Sequence, residues 1–187
     1  IYLPPPIENK KNKKIEPKPK KKRLITETNT WNTFLSQPLD FQIEQQRKCL
    51  EMLMYPSTTT LRDEPEINRN ESRKMHFLKE QIRQKINGYK AQDIKKGIFN
   101  ISTFIDLEYV LQLLHESELT CFYCRGDVFL WYEISRESKQ WSIERIDNKI
   151  GHDIGNVEIA CLSCNLKRRC MYHERFVFTK QLNIVKC

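Results

Sequence analysis

At 187 residues and 39% hydrophobic content, the chain supports one or two small domains and leaves no room for a large enzyme core. Its formal charge of +8 is uneven: residues 1–30 carry nine Lys/Arg against three Asp/Glu, residues 31–120 carry 12 against 13, and residues 121–187 carry 11 against eight. Such an excess implies a polyanion partner, a solubilising tail being the alternative. No apolar run approaches the roughly 20 residues of a membrane span, and residues 1–7 lack a signal-peptide layout. A soluble, intracellular protein without a membrane partner is therefore expected, and because the sequence opens on Ile1 rather than Met, so is a preceding stretch of chain.

Residues 1–30 are rich in Lys and Pro and nearly devoid of apolar side chains after Ile7, too few to offset the entropy of folding, so a disordered basic arm is expected. Within it, Lys20, Lys21, Lys22 and Arg23 close the run PKPKKKR, which reads first as phosphate contacts to nucleic acid and second as a nuclear import signal. From Leu39 to Met54 the apolar residues recur at helical intervals, and Pro56 closes the segment. Residues 57–70 read as a connector. Met75, Leu78, Ile82 and Ile86 then form the stripe of a second helix, ended by Asn87-Gly88, and Leu107, Val110, Leu111 and Leu114 mark a third over about Thr103 to Glu116. Beyond Cys121, Val128–Ile134 and Trp141–Ile146 are rich in β-branched and aromatic residues and read as strands. The fold class is α+β: a helical region over 31–118 followed by a compact module over 119–187.

Seven cysteines is an odd number, and four of them form two C-x-x-C pairs, Cys121/Cys124 and Cys161/Cys164, with 36 residues between the pairs. This pattern suits metal thiolates in a reducing compartment better than a disulfide framework, redox pairs being the rival. Each pair bends two thiolates onto one tetrahedral Zn²⁺, and a closed site of four sulfurs leaves no position for substrate, so the zinc is expected to hold the fold. Cys170 and His173 have ligand-like spacing but are surplus to a completed site, and Cys49 and Cys187 carry no readable meaning.

Between the pairs runs WSIERIDNKIGHDIGNVEIACLSCNLKRR, residues 141–169. It resembles the HNH (ββα-metal) endonucleases, in particular the zinc-bracketed subset with an acidic-Arg-Ile-Asp-Asn strand, Gly-His, a central Asn and Cys-x-x-Cys-Asn, and the likeness covers roughly residues 119–170. The resemblance implies phosphodiester hydrolysis in DNA, with Glu144 and Asn165 on one divalent ion, Mg²⁺ or Mn²⁺, and Asp147 as a competing ligand; oxygen donors suit such hard ions. It also implies that Asn156 pins the loop between the strands. Most members carry His directly after the acidic ligand, where this chain has Arg145, whose guanidinium stays protonated and serves as no base. His152 is then the leading candidate for the general base, ahead of Tyr172 and His173, and Arg145 is a candidate clamp on the scissile phosphate. Lys167, Arg168 and Arg169, with Arg145, form the expected phosphate-binding surface. Nothing resembles a base-reading module. Two functions are expected from this pattern: a metal-dependent DNA endonuclease, or a catalytically impaired zinc module that binds nucleic acid or assembles into a larger nucleoprotein complex through its basic arm.

Overall fold

The computed structural model describes residues 23–25, 29–35, 37–55 and 66–182. Lys20, Lys21, Lys22 and most of the basic arm lie outside these residues. Helix α1 (Asn29–Phe34) leads to a 3₁₀ turn (Pro38–Phe41) and then to α2 (Ile43–Met54), α3 (Glu66–Lys96), α4 (Leu107–Glu116), strands β1 (Trp141–Arg145) and β2 (Val157–Cys161), α5 (Leu162–Arg168) and α6 (His173–Gln181). The class is α+β, a helical N-terminal region followed by a two-stranded antiparallel sheet.

Helix α2 buries Cys49, Leu50 and Leu53 on one face, and it starts four residues later than Leu39 because Pro38 opens a 3₁₀ turn instead. On that same face sits the amide of Gln46, fully buried. Its Nε2 donates to Phe41 O and Trp131 O, both at 3.1 Å, and its Oε1 accepts from Leu130 N and Trp131 N at 2.7 and 3.2 Å. These bonds explain why Val128–Ile134, expected as a strand, is none: its backbone groups are satisfied by a side chain from α2 and by isolated bridges, Phe129 to Gln140 and Ile134 to Leu24. The α1 turn, which the sequence pattern does not announce, packs Trp31 edge-on and Phe34 stacked against Phe77 of α3.

Helix α3 does not stop at Asn87-Gly88 but runs on to Lys96. The energy that carries it across a poor helix former comes from the following turns, where Tyr89 is buried against β1 and Asp93 against the loop at His152. It ends instead at Gly97, whose φ of +69° supplies the left-handed turn, with Ile98 N donating to Asp93 O at 3.0 Å. The third expected helix is shorter than its pattern. Asp106 caps α4 by accepting from Tyr109 N at 2.8 Å, while Thr103 closes a turn and Phe104 bridges Asp153, with Ile105 N donating to His152 O and Ile154 N to Thr103 O.

One apolar cluster runs from Leu35, Leu53, Leu78 and Ile82 to Trp131, Trp141, Ile143 and Phe176, so the helical region and the cysteine-bearing module share a core. Among the described residues no helix is long and apolar enough to cross a membrane.

Candidate functional site

The sheet is a hairpin in which Trp141 pairs with Cys161 and Arg145 with Val157, and α5 follows β2 without a linker. At the Trp141 end lie the cysteines. A tetrahedron of sulfurs about 2.3 Å from a central ion has edges of about 3.8 Å; Cys124 Sγ and Cys161 Sγ are 3.9 Å apart, and the ligand atoms of Cys121, Cys124, Cys161 and Cys164 all lie within 4.8 Å of one another. Crowding separates their acidities: Cys121 is held down at about 4 by the hydrogen bond from Cys161, whose own thiol is pushed far up. A Zn²⁺ relieves this by holding all four as thiolates. The site therefore fits zinc. Cys170 and His173 do not join it; His173 Nδ1 faces Tyr123 Oη at 3.1 Å.

At the other end of β1 the loop 146–156 opens, and its conformation is held from three sides. Asn156 accepts from Asp147 N at 2.9 Å and donates to Asp147 O and Gly151 O at 3.1 and 2.9 Å. Arg145 Nη1 donates to Asn148 O and Ile150 O at 3.3 and 3.1 Å, so this guanidinium braces the loop rather than facing outward. Asn148 Nδ2 ties the loop to Arg169 O at the end of α5.

Gly151 and His152 then meet α3. A Cβ at Gly151 would lie 2.8 Å from Ile98 O and 3.0 Å from Asp93 Oδ2, an approach that only glycine permits. It delivers His152, buried, to Asp93: the backbone N donates to Asp93 Oδ2 at 2.6 Å, and Nδ1 lies 2.9 Å from both carboxylate oxygens. The imidazole also packs against the Tyr89 ring, tilted at 41° with the ring centres 4.6 Å apart. A carboxylate accepts, so Nδ1 carries the proton and Nε2 is the basic nitrogen. Burial pushes the imidazole below its ordinary value despite the opposing pull of Asp93, which keeps it neutral near pH 7.

Glu144 is buried at the strand end and forms an ion pair with Arg168 of α5, which also donates to Arg145 O and, at 2.7 Å, to Ile146 O. Burial pushes the Glu144 carboxyl up, and the Arg168 guanidinium pulls it down. Arg168 is 2% exposed, so it does not belong to the expected phosphate-binding surface; its place one turn after Cys164 turns it inward, whereas Lys167 and Arg169 are exposed. Asn165 donates to Ser142 Oγ and Ile143 O at 3.2 and 3.3 Å, and the exposed Asp147 accepts from Lys149 N at 2.9 Å. Arg145 and Lys96 bias the charge of both Glu144 and His152, so the acid and the imidazole share one electrostatic environment.

No family model, curated protein or solved structure matches this chain.

Of the oxygens expected to bind a divalent ion, one of Glu144 is held by the Arg168 guanidinium and one of Asp147 by its own loop, while the hydrogen bonds of Asn165 to β1 are both made by its Nδ2. The residues that the sequence pattern missed, Tyr89, Asp93 and Lys96, all come from α3. Their spacing continues the stripe of Ile82 and Ile86, so a carboxylate on the buried face of a longer helix was the available signal.

Proposed function

We propose that the module over residues 119–182 is an HNH-type nuclease that hydrolyses phosphodiester bonds in DNA, with His152 as the general base. The observation that carries this reading is the Asp93–His152 pair. A neutral imidazole with its Nδ1–H on a buried carboxylate is a base of fixed tautomer, set beside a pinned loop and two cations, Arg145 and Lys96. In this reading substrate binding opens the site over the imidazole, 3% exposed without it, and Nε2 takes the proton from water attacking phosphorus; the P–O bond opposite breaks, its oxygen leaving with a proton from solvent, and Lys96, exposed at the end of α3, offsets the charge that develops on the phosphoryl oxygens. Glu144 and Arg168 hold the strand end and the helix together, and no step is assigned to a divalent ion.

The pairing of Glu144 with Arg168 favours a second reading, a zinc-folded subunit that binds nucleic acid without cleaving it. Incubation of the zinc-loaded full chain with supercoiled plasmid, with Mg²⁺, with Mn²⁺ and with neither, decides between them. The nuclease reading expects nicking that falls about 10²–10⁴-fold in His152→Ala while that variant keeps its circular dichroism spectrum. No nicking under any of these conditions leaves the binding subunit, whereas nicking undiminished in the variant refutes His152 as the base.

A further inference from the structure

The turn 135–138 and the outer face of α5 enclose a cleft of about 740 Å³ that the chemistry above does not use. Arg136, Lys167 and Arg169 line it, with the hydroxyls of Ser138 and Ser163 and the exposed side chain of Leu166. No acidic side chain does: Glu137, within the turn, is occupied by Ser138 Oγ at 3.0 Å and Lys139 N at 3.2 Å. Among the described residues, none of the three cations makes an ion pair, and two of them sit on left-handed backbone, Arg136 at φ +61° and Arg169 at φ +52°. Three uncompensated charges around one concavity raise the local concentration of anions.

The basic arm reaches the molecule at the same place. Leu24 forms an antiparallel bridge with Ile134, with Ile25 N donating to Glu133 O at 2.7 Å and Ser135 N donating to Arg23 O at 2.8 Å. Arg23, exposed, is thereby fixed opposite Ser135, one residue from Arg136.

We infer that Arg23, Arg136, Lys167 and Arg169 form one track for the sugar-phosphate backbone of nucleic acid, built from the arm and the cysteine-held helix together. No aromatic side chain lines the cleft to stack on bases, so recognition here is through phosphates and independent of sequence. The inference rests on the nucleic-acid half of the function proposed above and not on its cleavage chemistry.

The test is fluorescence anisotropy with a labelled oligonucleotide, duplex and single-stranded, titrated with the full zinc-loaded chain over a series of salt concentrations. Arg23→Gln, Arg136→Gln, Lys167→Gln and Arg169→Gln keep long polar side chains on their backbones, so the fold is preserved. Each is expected to flatten the plot of log affinity against log salt by about 0.9 on duplex or about 0.7 on single strand, whichever is the ligand. Lys48→Gln, on the exposed face of α2, leaves the slope unchanged. Slopes unaltered in the four variants, or an equal loss in Lys48→Gln, overturn the track. A gel of the same samples separates the two claims: cleavage with unaltered slopes refutes the track and keeps the nuclease, whereas altered slopes without cleavage do the reverse.

Discussion

The two ends of β1 are held by different physics. At Trp141 the strand abuts four thiols close enough to hold one ion in common, at the edge of the shared apolar core. At Arg145 it ends in a mesh of buried charge and hydrogen bonds drawn from α3, the loop and α5. The sulfur end is drawn from two short Cys-x-x-Cys turns within the module, while the polar end also depends on α3. Buried polar groups cost free energy unless each is paired, so an end built from them is kept for specificity of position rather than for stability.

The largest effect is expected from breaking the sulfur end. The purified chain is expected to hold one zinc by elemental analysis, and Cys161→Ser is expected to remove both the zinc and the cooperative thermal transition. Structural zinc contributes on the order of 10 kcal/mol to modules of this kind, more than a domain of this size holds in reserve. A variant that melts as the wild type does would mean that the thiols are incidental.

Next comes the ion pair at the opposite end. Glu144→Gln leaves Arg168 buried beside a neutral amide, with its Nε already lacking a partner among the described residues, and is expected to cost about 3–5 kcal/mol in chemical denaturation. Replacing both, Glu144→Gln with Arg168→Met, should recover most of that loss because no charge is left stranded. Additive losses in the double variant would place the energy in packing instead of in the pair.

What could be read from the sequence follows the same division. Cys-x-x-Cys spacing is dictated by the geometry of metal binding, so the four thiols were legible without any knowledge of the rest. Of the hairpin only β1 was legible, because Trp141–Ile146 is rich in β-branched and aromatic residues, whereas β2 was not read as a strand from its residues; Asn156 makes the loop-pinning bonds that its place in the motif implies. Asp93 was hidden because Asn87-Gly88 carries the local signature of a helix end, which tertiary burial of Tyr89 and Asp93 overrides. Val128–Ile134 has the composition of a strand, yet the amide of Gln46, over 80 residues away, takes its hydrogen bonds. In the Lys167-Arg168-Arg169 run, composition says exposed, and only the helical phase set by Cys164 turns Arg168 inward.

The smallest effect sharpens the contrast on the flank of the sheet. Lys85 of α3 donates to Trp141 O with its ammonium 4.4 Å from the Trp141 ring centre, and burial pushes its pKa down to about 7. Between about pH 7 and the ordinary lysine value the unfolded chain binds the extra proton, so Lys85 makes stability rise with pH across that window, by at most about 1.4 kcal/mol per pH unit. Lys85→Met removes that contribution to the slope, which denaturation midpoints at pH 7 and pH 9 will read. An identical slope in the variant would mean that the ammonium is not buried.

The most direct measurement is the single-turnover rate of plasmid nicking by the zinc-loaded chain and by its Asp93→Asn variant. Asparagine keeps the size of the side chain but removes the charge that fixes the proton on His152 Nδ1. A fall on the order of 10²-fold or more, with the melting transition retained, is the predicted result. Equal rates for the two proteins would contradict the assignment of His152 as the base.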